Sequence, residues 1–159
     1  MAAADSTSSS FIRMGYVHSA PLLNAQTRLP IPAVDTEEEI KQLRDILQES
    51  HQRVCFSAVV ATVFNFSQLL SKGCRVVHYT GHGLPDGNLA FENERGELFG
   101  FERSTLRNLL KSTEGMMPKL VFVAACHSQA AGDAFVEAGV PHVVAVRASA
   151  TRSACCATP

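Results

Sequence analysis

The sequence predicts one α/β domain built on a mainly parallel sheet with helices on both faces. Apolar runs rich in β-branched residues alternate with stretches of helical period, which is the rhythm of βαβ units. With 159 residues, 46% of them hydrophobic, the chain can form one domain with a real core, and it is not clearly long enough for two. Two of the predicted strands end in small residues beside His82 and Cys126. Residues that can do chemistry are therefore expected at the carboxyl edge of the sheet, where such folds bind ligands.

The elements are predicted in order along the chain. Residues 1–10 are small and polar and are expected to form a disordered tail, because they offer little apolar surface to bury. Residues 28–32 read as an extended linker, since each proline disfavours helix in the residue before it. Strands are predicted at 12–18, 53–60, 75–80, 119–125 and 142–146, with a small hairpin at 88–91 and 97–99, and helices at 36–50, 62–73, 104–112 and 128–137.

Helix termini are predicted from capping chemistry. Thr36 and Glu39 have capping-box spacing, and Thr62 and Ser128 are candidate caps of the second and fourth helices. Gly139 follows the last helix, as glycine does at many helix ends. The apolar residues of the second helix share one face and are expected inward: Val63, Phe66, Leu69 and Leu70.

Composition excludes several functional classes. The net charge is −1 and no basic stripe occurs, so we expect no nucleic-acid partner. No apolar run has membrane-spanning length and the first ten residues lack the features of a secretory leader, so no membrane association is expected. The five cysteines are odd in number and lack paired metal spacing, which favours a reducing compartment and a cytoplasmic location. No cofactor is expected.

The two loops after the third and fourth predicted strands carry the candidate chemistry. Cys126 lies just before a predicted helix, where backbone N–H groups and the helix dipole favour a thiolate. His82 could serve as its base if the two strands are neighbours. The N–H groups of Gly83 and Cys126 are candidate donors to a developing oxyanion. Together these parts describe acyl transfer through a thioester, most simply peptide-bond hydrolysis.

Other interpretations remain open on the residues alone. One alternative is that Cys126 only fills space at the end of its strand, because cysteine is often buried. His78 is better explained as a histidine on the sheet face. A zinc site can be written from His78, His82, Cys126 and His127, but no local ligand pair has a known spacing. Gly81-His82-Gly83 lacks the third glycine and following helix of a dinucleotide loop. A flavodoxin-like small-molecule binder is a distant alternative.

Four motifs, taken together and in this order, resemble the CHAT domain, a caspase-like cysteine peptidase domain related to separases. They are His78-Tyr79-Thr80-Gly81-His82-Gly83, the hairpin 89–96, Ala125-Cys126-His127-Ser128 and residues 138–146. The resemblance covers 11–147 and implies a caspase-like, three-layer α/β/α sandwich. It also implies His82 as catalytic base, Cys126 as nucleophile, Gly83 and Cys126 as oxyanion donors, and a protein or peptide substrate. Residues 124–128 differ from the caspase motif, so specificity for aspartate is not implied.

The resemblance also implies that secondary structure is missing after the fifth strand. Domains of this type usually continue past the fifth strand with another helix and a sixth strand, whereas 148–159 form an unpatterned tail. We therefore expect the final strand to be missing and the sheet edge to be exposed, so that two chains could associate there. The competing hypothesis is a catalytically silent fragment that acts as a protein-interaction module.

Overall fold

The structure is a computed structural model that describes residues 11–113 and 115–145. Its strands are β1 (Ile12–His18), β2 (Leu23–Asn24), β3 (Val54–Val60), β4 (Val76–Thr80), β5 (Leu89–Glu92), β6 (Glu97–Phe101), β7 (Leu120–Ala124) and β8 (His142–Ala145). Its helices are α1 (Glu37–Glu49), α2 (Val63–Ser71), α3 (Arg103–Lys111) and α4 (Gln129–Ala138). The predicted strands and helices are all present, with ends that differ by a few residues.

Within the described residues the central sheet has five strands, all parallel, in the order β3-β1-β4-β7-β8. The strands β4 and β7 are therefore neighbours, and their last residues, Thr80 and Ala124, are paired in register. A second, three-stranded sheet, β2-β6-β5, contains the predicted hairpin. Because parallel strands end at the same edge of a sheet, the loops after β4 and β7 lie side by side.

Helices cover both faces of the central sheet. Leu69 of α2 packs on Gly15 of β1, and Gly132 of α4 lies against Ala145 of β8. These sheet residues belong to one face, because successive side chains of a strand alternate between faces and the register relates the strands. Helix α1 lies on the other face, where Tyr16 donates a hydrogen bond to its Glu39. The result is the three-layer α/β/α sandwich, consistent with a caspase-like fold.

The main core lies between the sheet and the α2, α3 and α4 layer, and it extends into the hairpin. Phe66 of α2 meets Phe91 and Phe101 of the hairpin edge-on, and Phe91 stacks on Tyr79 of β4. All four are at most 2% exposed. Burial of a side chain of this size contributes about 1.5–3 kcal/mol relative to exposure, so the aromatic cluster fixes the hairpin against β4.

Three of the predicted caps behave differently. Thr62 accepts a hydrogen bond from the Asn65 N–H at 3.1 Å and caps α2, as predicted. Thr36 makes no side-chain cap bond, so the predicted capping box is wrong. Its hydroxyl lies 3.5 Å from His18 Nδ1, and Glu39 accepts a hydrogen bond from Tyr16 of the sheet. Ser128 occupies the N-cap position of α4 without a capping bond, and its hydroxyl donates to the Val123 carbonyl at 3.5 Å.

One further expectation is corrected, and one short strand was not predicted. Val63 is 39% exposed, so it does not share the buried face of α2. Val63 is the first residue of α2, almost two turns before Leu69, which packs on the sheet at Gly15. The stretch read as linker begins after a short strand, since β2 pairs with β6 and Leu23 bridges to Pro30. The pairing is only two residues long, too short to leave a period in the sequence.

The face of the sheet that carries α1 is only partly covered. Phe122 is 36% exposed and Val144 48%, and both point to this face within the described residues. Strand β8 is the last strand of the described sheet. The predicted tails, 1–10 and 148–159, lie outside the described residues. Between residues 11 and 145 no helix is long and apolar enough to cross a membrane.

Candidate active site

The candidate site is formed where β4 and β7 end beside each other. Parallel pairing continues to Thr80 and Ala124, and the Gly81 N–H then donates to the Ala124 carbonyl at 3.3 Å. The two loops that follow therefore start from adjacent points. They carry His82 and Cys126, which are 44 positions apart in the sequence. The sheet order, rather than any local motif, brings the two segments together.

Gly83 and Cys126 make the closest contact between these loops. A Cβ built on Gly83 would lie 1.5 Å from the carbonyl oxygen of Cys126 and 2.7 Å from its carbonyl carbon. Real Cβ atoms essentially never approach another atom within 3.0 Å. Only glycine therefore allows the two backbones to pack this closely. The glycine after His82 is explained by this contact.

The imidazole of His82 is held by a backbone carbonyl from another segment. Its Nε2 lies 2.9 Å from the carbonyl oxygen of Pro32, in the connection between β2 and α1. A carbonyl oxygen can only accept, so Nε2 must carry the hydrogen in this contact. The neutral ring then has its lone pair on Nδ1. The contact fixes the orientation of the ring and leaves Nδ1 as the basic atom.

The side chain of Tyr79 holds the His82 loop through hydrogen bonds. Its hydroxyl lies 2.6 Å from the Ala90 carbonyl and 3.1 Å from the His82 carbonyl, so its hydrogen is shared between them. The Ala90 N–H also donates to the His82 carbonyl at 3.0 Å. Burial raises the pKa of Tyr79 far above its ordinary range, so the hydroxyl stays protonated. The hairpin thereby anchors the loop at the histidine.

Pro32 and Tyr79 were not found from the sequence. The contact of Pro32 is made by its backbone carbonyl, which any residue could offer, so no side-chain signal exists. Tyr79 did carry a weak signal, because a tyrosine at a buried strand position must find a partner for its hydroxyl. The identity of that partner depends on the hairpin fold.

The turn after β7 is strained at His127. Its φ is +53°, in the left-handed region that side chains other than glycine seldom adopt. Such strain is concentrated at functional sites, where the surrounding structure holds the backbone in place. The turn leads through Ser128, which is 1% exposed, into α4. Cys126 is thereby placed half-buried just before the N-terminus of a ten-residue helix, the end that favours negative charge.

The amide N–H of Gly83 points away from the hairpin strand beside it. It pairs with Leu89 in an isolated antiparallel bridge. The hydrogen bonds of that bridge are made by its neighbours, from Leu84 N–H to Asn88 and from Ala90 N–H to His82. In an antiparallel pair, the residue between two such bonds does not direct its own N–H at the partner strand. The Gly83 amide is therefore not used by the hairpin.

His78 does not belong to this site. Its ring packs between Tyr16 and Phe122, with ring centroids 5.2 and 4.8 Å away. Its Nε2 is 3.1 Å from Glu39 Oε1, although the two are not aligned as a hydrogen bond. Burial lowers the pKa of His78, and Glu39 partly opposes this effect. The prediction of a histidine on the sheet face is confirmed. In the described part of the chain no three His, Cys, Asp or Glu side chains converge as a metal site requires.

Comparison with known proteins identifies the family of the chain. The sequence profile of the CHAT domain matches residues 3–154, almost the whole chain. No curated protein matches the chain at a significant level of similarity. The CHAT domain is a caspase-like, peptidase-related family, and the parallel sheet with four described helices agrees with that fold. Since the match spans far more than half of its length, this chain belongs to the CHAT domain family.

Proposed function

We propose that this chain is a cysteine-type endopeptidase domain that hydrolyses peptide bonds with Cys126 as nucleophile and His82 as base. The observation that carries the proposal is the contact of Gly83 with the Cys126 backbone. It brings the residue after the histidine against the nucleophile, at an edge of the sheet where side chains of both loops are half-buried and reachable. The membership in a peptidase-related family supports the same reaction class.

The reaction begins with proton transfer from the Cys126 thiol to His82 Nδ1. The hydrogen bond from Nε2–H to the Pro32 carbonyl, 2.9 Å long, stabilises the imidazolium that forms, because its positive charge faces a carbonyl dipole. The N-terminus of α4 favours the thiolate at the same moment. The two effects act together, so the dyad does not need a carboxylate as a third member.

The thiolate then attacks the carbonyl carbon of a peptide bond, and the carbonyl oxygen becomes an oxyanion. We assign the N–H groups of Gly83 and Cys126 as its donors, and preorganised donors of this kind are worth about 10²–10³-fold in rate each. When this tetrahedral intermediate collapses, the C–N bond breaks and the amine leaves with the proton from His82. Water, deprotonated by His82, then hydrolyses the thioester and releases the acid and the thiol.

The rate of alkylation of Cys126 by iodoacetamide tests the dyad, with peptide mass spectrometry as readout. Cys55 is exposed and serves as reference within the same molecule. We expect Cys126 to react faster than Cys55 at neutral pH, and His82→Ala to remove that advantage without changing Cys55. If Cys126 reacts no faster than Cys55 in the wild type, the dyad is refuted. Cleavage of a peptide library that persists in Cys126→Ala would refute the nucleophile.

The second candidate is a catalytically silent domain that binds a protein through its exposed sheet surface. The half-exposed Phe122 and Val144 favour it, because they form neighbouring apolar positions on β7 and β8. In that case Val144→Lys would abolish self-association or partner binding, and Cys126 would react like Cys55. The peptidase proposal predicts the opposite result for the thiol, so one alkylation experiment separates the two.

A further inference from the structure

A groove lies between α2 and β3, at the edge of the sheet remote from the Cys126 loop. Its cavity volume is about 630 Å³, within the range of small-molecule sites. The residues that matter for its chemistry are Arg13, Cys55, Val59, Phe64, Leu69 and Lys72. None of them takes part in the proposed peptidase reaction. The groove is therefore a second feature that needs its own explanation.

The position of α2 explains why the groove exists. Leu69 packs directly on Gly15 of β1, where an added Cβ would lie 2.4 Å from the Leu69 side chain. The helix is thereby held over β1, and an open groove remains between it and Cys55, Ser57 and Val59 of the edge strand β3. Phe64 projects from the first turn of α2 and is 70% exposed, so the groove has an aromatic wall that is open to solvent.

The two ends of the groove differ in chemistry. Helix α2 runs antiparallel to β3, as in a βαβ crossover, so Phe64 lies toward the Val59 end of the strand and Lys72 toward the Cys55 end. Arg13 pairs in register with Cys55 and joins the same end. From Cys55 to Val59 the strand covers about 13 Å, and from Phe64 to Lys72 the helix covers about 12 Å. The groove is therefore elongated, with cations at one end, and with Phe64 and Val59 beside the polar Asn65 at the other.

In the described part of the chain, the cations at this end have no carboxylate partner. Neither Arg13 nor Lys72 forms an ion pair among the described residues, and no Asp or Glu lines the groove. Both lie near Cys74: burial raises the pKa of that thiol, and the charges of Arg13 and Lys72 oppose the rise. Two positive charges that converge without a counterion attract an anion.

We propose that this groove binds an elongated amphipathic anion, with its carboxylate between Arg13 and Lys72 and its hydrocarbon chain along Leu69, Val59 and Phe64. The chemical class is that of medium-chain carboxylates. Charge complementarity selects the head group, and the apolar walls select the tail. The proposal is independent of the peptidase reaction, because the groove and the Cys126 loop share no residue.

Calorimetric titration of the whole chain tests the proposal, with decanoate below its micellar concentration as the probe. Decyltrimethylammonium, which has a tail of similar length and the opposite charge, and acetate, which has no comparable tail, are the control ligands. We expect decanoate to bind and both controls to fail. Arg13→Gln and Lys72→Gln should each weaken decanoate binding about five-fold, the effect of one partly exposed ion pair. Lys111→Gln, a matched change at the exposed end of α3, should leave it unchanged.

A chemical footprint locates the bound molecule. Cys55 lines the groove and is exposed, so saturating decanoate should slow its alkylation while the rate at Cys126 stays constant. Ser57→Leu, which fills the middle of the groove, should abolish both binding and protection. The proposal is overturned if decanoate does not bind, if decyltrimethylammonium binds equally well, if the Gln variants at Arg13 and Lys72 bind like the wild type, or if Cys55 is not protected.

Discussion

Replacement of Gly83 by alanine is the sharpest test of the geometry at the candidate active site. The new Cβ would lie 1.5 Å from the Cys126 carbonyl oxygen, whereas real contacts of a Cβ stay beyond 3.0 Å. The two loops must therefore separate by at least about 1.5 Å. The neighbouring atom belongs to the backbone, so no side-chain rotation can relieve the clash.

The expected magnitude follows from that displacement. Misplacement of reacting groups by about 1 Å can cost on the order of 100-fold in rate, and the same shift disturbs both proposed oxyanion donors. Forcing an extra methyl group into packed structure costs typically about 1–3 kcal/mol of stability. Gly83→Ala should therefore lower the alkylation rate of Cys126 at least to that of Cys55, and reduce the free energy of unfolding by about 1–3 kcal/mol.

A matched variant separates this effect from a general effect of glycine replacement. A Cβ on Gly100, in β6, would meet the end of the flexible Leu84 side chain at 3.1 Å. Gly100→Ala should therefore retain the wild-type rate at Cys126 and lose little stability. Denaturation in guanidinium chloride, followed by circular dichroism, and mass-spectrometric alkylation rates provide the two readouts. A Gly83→Ala protein with wild-type stability and wild-type reactivity at Cys126 would refute the close approach of the two loops.

Three further predictions concern stability. Thr62→Ala should lower the free energy of unfolding by about 1 kcal/mol, because α2 loses its N-cap, whereas Thr62→Ser should not; equal losses in thermal or chemical unfolding would contradict the cap. His127→Val should cost about 1 kcal/mol or more, since a β-branched residue fits the left-handed backbone poorly, and His127→Gly should be tolerated; a stable valine variant would show that the turn relaxes. Burial lowers the pKa values of His18 and His78 in the folded chain. The contribution of these two neutral histidines to the free energy of unfolding is complete above about pH 6.5, the ordinary pKa of imidazole. It is lost as the pH falls below that value, because the unfolded chain then binds more protons than the folded chain. The urea concentration at the unfolding midpoint should decrease as the pH is lowered below about 6.5, and His78→Gln should make that decrease smaller. If the midpoint of His78→Gln depends on pH as the wild type does, His78 is not a source of the effect.

The candidate catalytic residues could be found from the sequence because strand ends and helix starts leave local signals. Each apolar run stops at small residues, and His82 and Cys126 stand at those stops. From the sequence, the two loops could be expected to lie close together only if their strands were assumed to be neighbours. The strand order makes that so, by placing β4 beside β7. The catalytic roles themselves stay a proposal.

The sequence alone determined the order of the strands and helices other than β2, the hairpin and the cap of α2, because periodicity and turn chemistry act between near neighbours. Only the tertiary structure decided where the other polar groups point. Glu39 reaches Tyr16 and the vicinity of His78 instead of closing a capping box, and His82 meets the carbonyl of Pro32, 50 positions away. Such contacts depend on which segments the sheet order brings together. Because every residue has a backbone carbonyl, the identity of a residue does not predict which group its carbonyl will bind.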